Sequence, residues 1–434
     1  MSRHLSRGAR LPLLLLAALL ATVLLAAPWG VQPAQAADID VRFELDLAAS
    51  EATSAARIVL GQGRGGLREL VLDGTRLTKV SGDGKIAREQ DRIRWLPPAG
   101  GGTLRYRVAL NHRRPGRNAP GNDAFVGPRF ALFRGEDAFP VRAWRWARNR
   151  SLGGELAIRH PAGWSLVTPY LPDQRGQLPI SNPGARPPRP IGWIIAGDLG
   201  TRRDTIAGLE ITVSAPKGLR MERVAMLGLL RWTLPQLLST LGLEPGGPAL
   251  PRYLSIVAAG EPMWLGALSA PNSIFVNADR PLISENGTST LLHEVVHVLL
   301  SGLRTPGDED WIDEGLAEYL ALRALKDSGT ISPARYAATI AEFRRWGAPV
   351  QTLRTAAAAG PVTARAVTVF ADLDEELRKS GSGAKSLAAL IRGRLQQPGP
   401  TGLAALREAA RAALGAASAA LAARNLPGLD GPAR

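Results

Sequence analysis

The chain is 434 residues long, 45% apolar and 21% charged, a globular composition with room for two or three domains. It has no cysteine, which excludes disulfides, thiolate metal ligands, a cysteine nucleophile and a lipid-modified cysteine. The formal charge is +15 with no zinc finger and no basic helix carrying interleaved aromatics, so nucleic acid is not an expected partner. Two readings of the charge stay open: a solvated, arginine-rich surface, or weak association with an anionic envelope surface.

The first 36 residues read as a targeting segment. Arg3, Arg7 and Arg10 precede the apolar run Leu11–Ala27, and Ala34-Gln35-Ala36 supplies a small-x-small cleavage signal. The mature chain is therefore expected to begin at Ala37, exported to the periplasm or secreted. An uncleaved anchor is the competing reading, because the apolar run is near the lower limit for a span. Cleavage removes three arginines and no acid, leaving +12.

From Asp38 the pattern is β. Ile39, Val41, Phe43, Leu45 and Leu47 alternate with Asp40, Arg42, Glu44 and Asp46, the period of a half-buried strand, and Leu104, Tyr106, Val108 and Leu110 repeat it. Shorter candidates follow at 57–60, 67–72, 92–96, 155–160, 164–168, 192–196 and 206–213, separated by Gly, Pro, Asn and Asp clusters. Many short strands with frequent turn signals predict an antiparallel sandwich or barrel over 37–215. Two stretches, 112–123 and 172–190, read as loops. From about Pro216 the apolar spacing becomes helical. Helices are expected over 221–241 (interrupted by Pro235), 290–301, 311–326, 333–346, 365–379, 386–394 and 401–424, with strands at 252–257 and 273–277. The last helix is rich in Ala and Arg, and is either packed or a partly disordered tail.

One stretch carries chemistry. His293-Glu294-Val295-Val296-His297 lies in an apolar helix that Thr288, Ser289 or Thr290 can cap. Histidines four apart leave one helical face, so a single metal ion can take a nitrogen from each. Glu294 points elsewhere but can reach a water held by that metal, which is why this spacing needs an acid there. The chain has only five histidines, so the pairing is informative, although two satisfied core histidines remain the alternative. The next helix begins Trp311-Ile312-Asp313-Glu314-Gly315-Leu316-Ala317-Glu318-Tyr319. Packed antiparallel to the first, it returns Glu314 to the metal as a third ligand, leaving the fourth position for water, as in a catalytic zinc site. Glu318, one turn on, can accept a hydrogen bond from the second nitrogen of a ligand histidine. The alternative for both acids is an exposed acidic face.

HEVVH followed by WIDEGLAEY resembles the gluzincin metallopeptidases, in particular the aminopeptidase N group and its glycyl-aminopeptidase relatives. That resemblance implies an α+β multidomain chain: an N-terminal antiparallel β-sandwich-like domain (37–215), a thermolysin-like, mainly helical catalytic domain (216–385) and a C-terminal helical segment (386–434). It also implies one Zn²⁺ per chain, Glu314 as third ligand, and a peptide or protein substrate. The chain departs from the group at three points. Sixteen residues separate His297 from Glu314, fewer than the group has. The strand that holds the substrate's amino terminus through an acid reads GALSAPNSIFV (266–276) here, with no acid. Val362 and Thr363 stand where the group carries the tyrosine that stabilises the oxyanion; Tyr253, Tyr319, Tyr336 or an arginine are the candidates to replace it. The leading expectation is a zinc-dependent peptidase with His293, His297 and Glu314 on the metal and Glu294 as general base. The alternative is an inactive zinc-holding protein that binds a peptide or an envelope partner.

Overall fold

The computed structural model describes residues 39–48, 51–61, 66–114, 120–146, 153–181, 188–219, 221–381 and 386–429. The expected targeting segment lies outside them. Among the described residues no helix is long and apolar enough to cross a membrane.

Period-two burial builds the first half. In the strand Ile39–Asp46, Val41, Phe43 and Leu45 are buried while Arg42 and Asp46 face solvent, and Ser54–Leu60 alternates in the same way. These two strands pair antiparallel within a six-stranded sheet, where Ile39–Asp46 also lies parallel to Gly153–Arg159. A four-stranded sheet contains Leu67–Asp73 and Arg92–Leu96, and a five-stranded sheet contains Trp193–Gly197 and Phe130–Arg134. The buried faces meet in one core around Phe43, Ile58, Leu70, Trp95, Tyr106, Phe133 and Phe139.

The second half is a five-stranded mixed sheet covered by helices. Its order is Leu199–Ile206, Leu209–Pro216, Tyr253–Ala259, Ser273–Asn277, Ala267–Ala270, with Tyr253–Ala259 parallel to both neighbours. The change of architecture therefore falls before Leu199, not at Pro216. Nearly every position of Leu209–Pro216 is buried, which marks an inner strand with both faces covered and not a half-exposed strand of the β domain. The helices are α1 (Arg223–Leu241), α2 (Thr290–Leu299), α3 (Trp311–Asp327), α4 (Pro333–Gly347), α5 (Pro361–Lys379), α6 (Leu387–Leu395) and α7 (Leu403–Leu414). Pro235 does not interrupt α1. Leu230, Leu234, Leu237, Leu238 and Leu241 bury one face of the helix on both sides of it, and α1 ends only at left-handed Gly242. The expected long C-terminal helix stops at Leu414, because Gly415 (φ 76°) takes the left-handed conformation. The chain then packs back, burying Ala420, Leu421, Leu426 and Leu429 in the same core as α1–α7.

A third, smaller core joins the halves. Leu132, Val167, Trp193 and Ile195 from the first meet Val257, Ala259, Met263 and Phe275 from the second. Trp193 also donates its indole N–H to the Leu268 carbonyl (2.8 Å) and its backbone N–H to Ser273 Oγ (2.8 Å).

Candidate metal centre

The apolar run around the two histidines forms α2. Ser289 caps it by accepting the Leu292 N–H, and Leu291, Leu292, Val295, Val296, Val298 and Leu299 are buried. His293 and His297 leave the remaining face, their ring centroids 4.7 Å apart. Helix α3 crosses this face because its own first turns permit close packing against α5. At Gly315 an added Cβ would lie 2.5 Å from the Ala366 Cβ, and Trp311 stacks on Phe370 at 5.6 Å. The start of α3 is tied down by the Ala358 N–H, which donates to Asp310 (2.7 Å).

The structure brings His293, His297 and Glu314 into one cluster, with a donor atom from each inside a span of 4.8 Å. The Nε2 atoms of the two histidines are 3.0 Å apart, and each faces the Glu314 carboxylate, at 3.3 Å from His293 and 3.5 Å from His297. Glu318 Oε2 lies 2.9 Å from His293 Nδ1, the contact expected of it. Asp313 Oδ2 lies 3.4 Å from His297 Nδ1, a contact the motif reading missed. Glu294 is almost fully buried, and its Oε2 accepts the backbone N–H of Ser269 (2.6 Å).

That last contact places the general-base candidate beside the edge strand of the sheet. Gly266 accepts the Asn277 N–H, so by the alternation of an antiparallel pair Ala267 and Ser269 turn their backbone groups away from the sheet, toward α2. The stretch 266–276 is a hairpin of two strands, Ala267–Ala270 and Ser273–Asn277, and carries no acid, as its sequence says. Of the tyrosines offered for the oxyanion, Tyr319 donates its hydroxyl to buried Asp374 (2.7 Å). The Lys326 ammonium lies 4.9 Å from the Tyr336 ring. Tyr253 lines a cavity of about 640 Å³ with Arg203, Thr212 and Leu171. Val362 and Thr363 fall in the first turn of α5.

The electrostatics favour positive charge. Burial opposes protonation of His293, but Glu314 and Glu318 outweigh it and hold the imidazolium well above its usual range. His297 is likewise opposed by burial and raised by Asp313 and Glu314, to about 9. Burial raises the Glu314 carboxyl, yet the two histidines bring it down to about 2. Two convergent ring nitrogens and a carboxylate, in a pocket of acids that favours cationic charge, fit a divalent metal of borderline softness such as zinc.

No protein-family model matches the chain, and no curated protein matches it. Solved structures do. An aminopeptidase N family protein from Idiomarina loihiensis superposes with a TM-score of 0.60 at 14% identity, covering 82% of this chain and 70% of that one. A two-domain M1 zinc metallopeptidase mutant bound to L-tryptophan gives 0.58 at 18% identity, covering 91% and 96%. The fold is that of the two-domain M1 zinc metallopeptidases. A mutant of such a metallopeptidase from Deinococcus radiodurans, bound to a Tyr-Ser-Ala substrate, gives 0.57 at 18% identity, covering 91% and 94%. The metallopeptidase fold accounts for the order seen here, β layers first and a helix-covered sheet second.

Proposed function

We propose that the chain is a zinc-dependent peptidase. The observation that carries this reading is the convergence of His293 Nε2, His297 Nε2 and the Glu314 carboxylate, with Glu294 of the same helix α2 anchored to the Ser269 N–H of the edge strand. His293, His297 and Glu314 would hold one Zn²⁺. Bound there, the ion would polarise the scissile carbonyl and lower the pKa of water toward about 7. The Ser269 N–H holds one oxygen of Glu294, and the other would serve as general base, taking a proton from water and returning it to the leaving amine. The Ser269 N–H is taken by Glu294, and the other outward backbone groups of the edge strand Ala267–Ala270 would meet an extended peptide by strand addition. The neighbours' names, and the tripeptide and amino acid held by two of them, support peptides as the substrate class. Export with a mature start at Ala37 belongs to the same reading.

A second reading, a zinc-holding protein that binds peptide without cutting it, is favoured by one observation: Tyr319 is committed to Asp374. Glu294→Gln separates the two. The variant is expected to keep its zinc and its fold and to lose peptide hydrolysis, measured on a mixed peptide library by mass spectrometry. Cleavage that persists at the wild-type rate would rule out Glu294 as base. Zinc binding with no cleavage by the wild type would leave the second reading.

A further inference from the structure

We infer that Glu309 is a positioning residue through which the C-terminal segment holds the loop between α2 and α3, so that the docking of α7 and the binding of zinc favour one another. The inference rests on the zinc reading above. The histidines sit on α2 and Glu314 on α3, and the join between them, 300–310, contains no helix. Residues 401–403 hold this join at two points. The Thr401 N–H donates to the Arg304 carbonyl (2.7 Å), and the Leu403 N–H, at the start of α7, donates to Glu309 Oε2 (2.8 Å). The first N–H groups of a helix have no partner within it, so a carboxylate there gains both a hydrogen bond and the favourable end of the dipole. Gly402 makes the approach possible, since an added Cβ would stand 2.6 Å from Glu309 Oε2. From Glu309 the connection runs on through backbone. The Ile312 N–H donates to the Glu309 carbonyl (3.0 Å) and the Glu314 N–H to the Asp310 carbonyl (3.1 Å). The chain's last described turn reaches the same loop by a second route: Leu353 donates its N–H to the Pro427 carbonyl (2.9 Å), and Thr355 donates its own to the Asp308 carbonyl (2.8 Å). An element that favours the placement of a metal ligand is itself favoured when the metal binds, because coupling is reciprocal. The competing explanation is that Glu309 only caps α7, in which case its loss loosens α7 and leaves zinc binding as it was.

The test uses the mature full-length chain. Zinc affinity is measured by competition with a chelator for wild type, Glu309→Ala and Glu309→Gln, and amide hydrogen exchange is followed in α3 and α7 with and without zinc. Glu309→Ala is expected to bind zinc about 5-fold more weakly or worse, the lower end of ordinary coupling between sites. Glu309→Gln keeps an oxygen acceptor and is expected to recover most of that loss. In wild type, zinc is expected to slow exchange at the start of α7 as well as in α3. In Glu309→Ala the slowing at α7 is expected to disappear while that in α3 remains. Glu309→Ala with wild-type zinc affinity overturns the inference, and faster α7 exchange in that variant would then assign Glu309 to capping alone. Glu309→Gln with no recovery overturns it, as does a zinc effect at α7 that is the same in wild type and Glu309→Ala. The wild-type exchange measurement needs no variant to fold, and α7 exchange indifferent to zinc also overturns the inference. Wild type without zinc affinity removes the zinc reading and this inference together, whereas each of the other overturning outcomes leaves zinc binding intact.

Discussion

At the residue scale, the cluster is a competition between protons and a metal. His297 is raised to about 9 from an ordinary 6.5, so in the metal-free chain its contacts stabilise the fold fully below pH 6.5 and are lost as pH rises through about 9. Glu314 is lowered to about 2 from 4.5, so its contribution is present above pH 4.5 and is lost as pH falls through about 2. Metal must displace the histidine protons. Apparent zinc affinity is therefore expected to climb as pH rises toward about 9, across the interval 6.5–9 included, with protons released on binding; calorimetry in buffers of different ionisation enthalpy reads both. A pH-independent affinity over that interval would contradict the arrangement. Helical periodicity made it legible that His293 and His297 share one face and Glu314 and Glu318 another; that the two faces meet rested on the expected packing and on the family resemblance. The approach of Asp313 to His297 was not legible, since its reach depends on the rotation of α3 about its axis. Nor was the Ser269 contact with Glu294, which is made between a strand and a helix by tertiary packing.

At the element scale, the position of Glu314 depends on the contact between α3 and α5. Gly315 lies against α5, with the Ala366 Cβ 2.5 Å and the Phe370 ring 3.0 Å from where a Cβ would stand. Gly315→Ala is expected to cost about 1–3 kcal/mol through overpacking, and to weaken zinc binding by pushing the first turn of α3 outward. Denaturant unfolding and chelator competition measure the two effects. Unchanged values for both would show that the helices have room to spare. Helix positions were largely readable from apolar spacing, but an expected interruption, the start of α5 at Pro361 (expected at 365) and the end of α7 were not. Pro235 looks like a break, yet the leucines flanking it are buried on one face, and tertiary packing outweighs the lost hydrogen bond. The long Ala/Arg pattern after Thr401 looks continuous, yet Gly415 adopts a left-handed conformation that ends it. The expected strand 206–213 runs across a turn: Leu199–Ile206 and Leu209–Pro216 are the two strands of a hairpin, and a buried apolar run says neither where the turn falls nor which sheet it joins.

At the scale of the whole molecule, the β layers do more than precede the metal centre. Trp193, from the first half, is fully buried against Phe275 (5.0 Å between centroids) and holds the Leu268 carbonyl of the edge strand. Trp193→Ala is expected to cost about 3–5 kcal/mol, as truncations of large buried aromatics do. It is also expected to speed hydrogen exchange at Ala267–Ala270, even though it lies outside the motif-bearing half. Unaltered exchange in that strand would show that the sheet alone holds it. The +12 expected of the mature chain belongs to this scale too, but charge totals bear on solubility and surfaces and say nothing of the fold.

The shared core sets a limit on dissecting the protein. A fragment trimmed to begin at Leu199 would keep every residue of the metal cluster, and on paper it would look self-sufficient. It would also expose Val257, Ala259, Met263 and Phe275 as one sticky apolar patch and strip the indole from the Leu268 carbonyl. The smallest piece worth expressing, fusing or redesigning is therefore the two halves together.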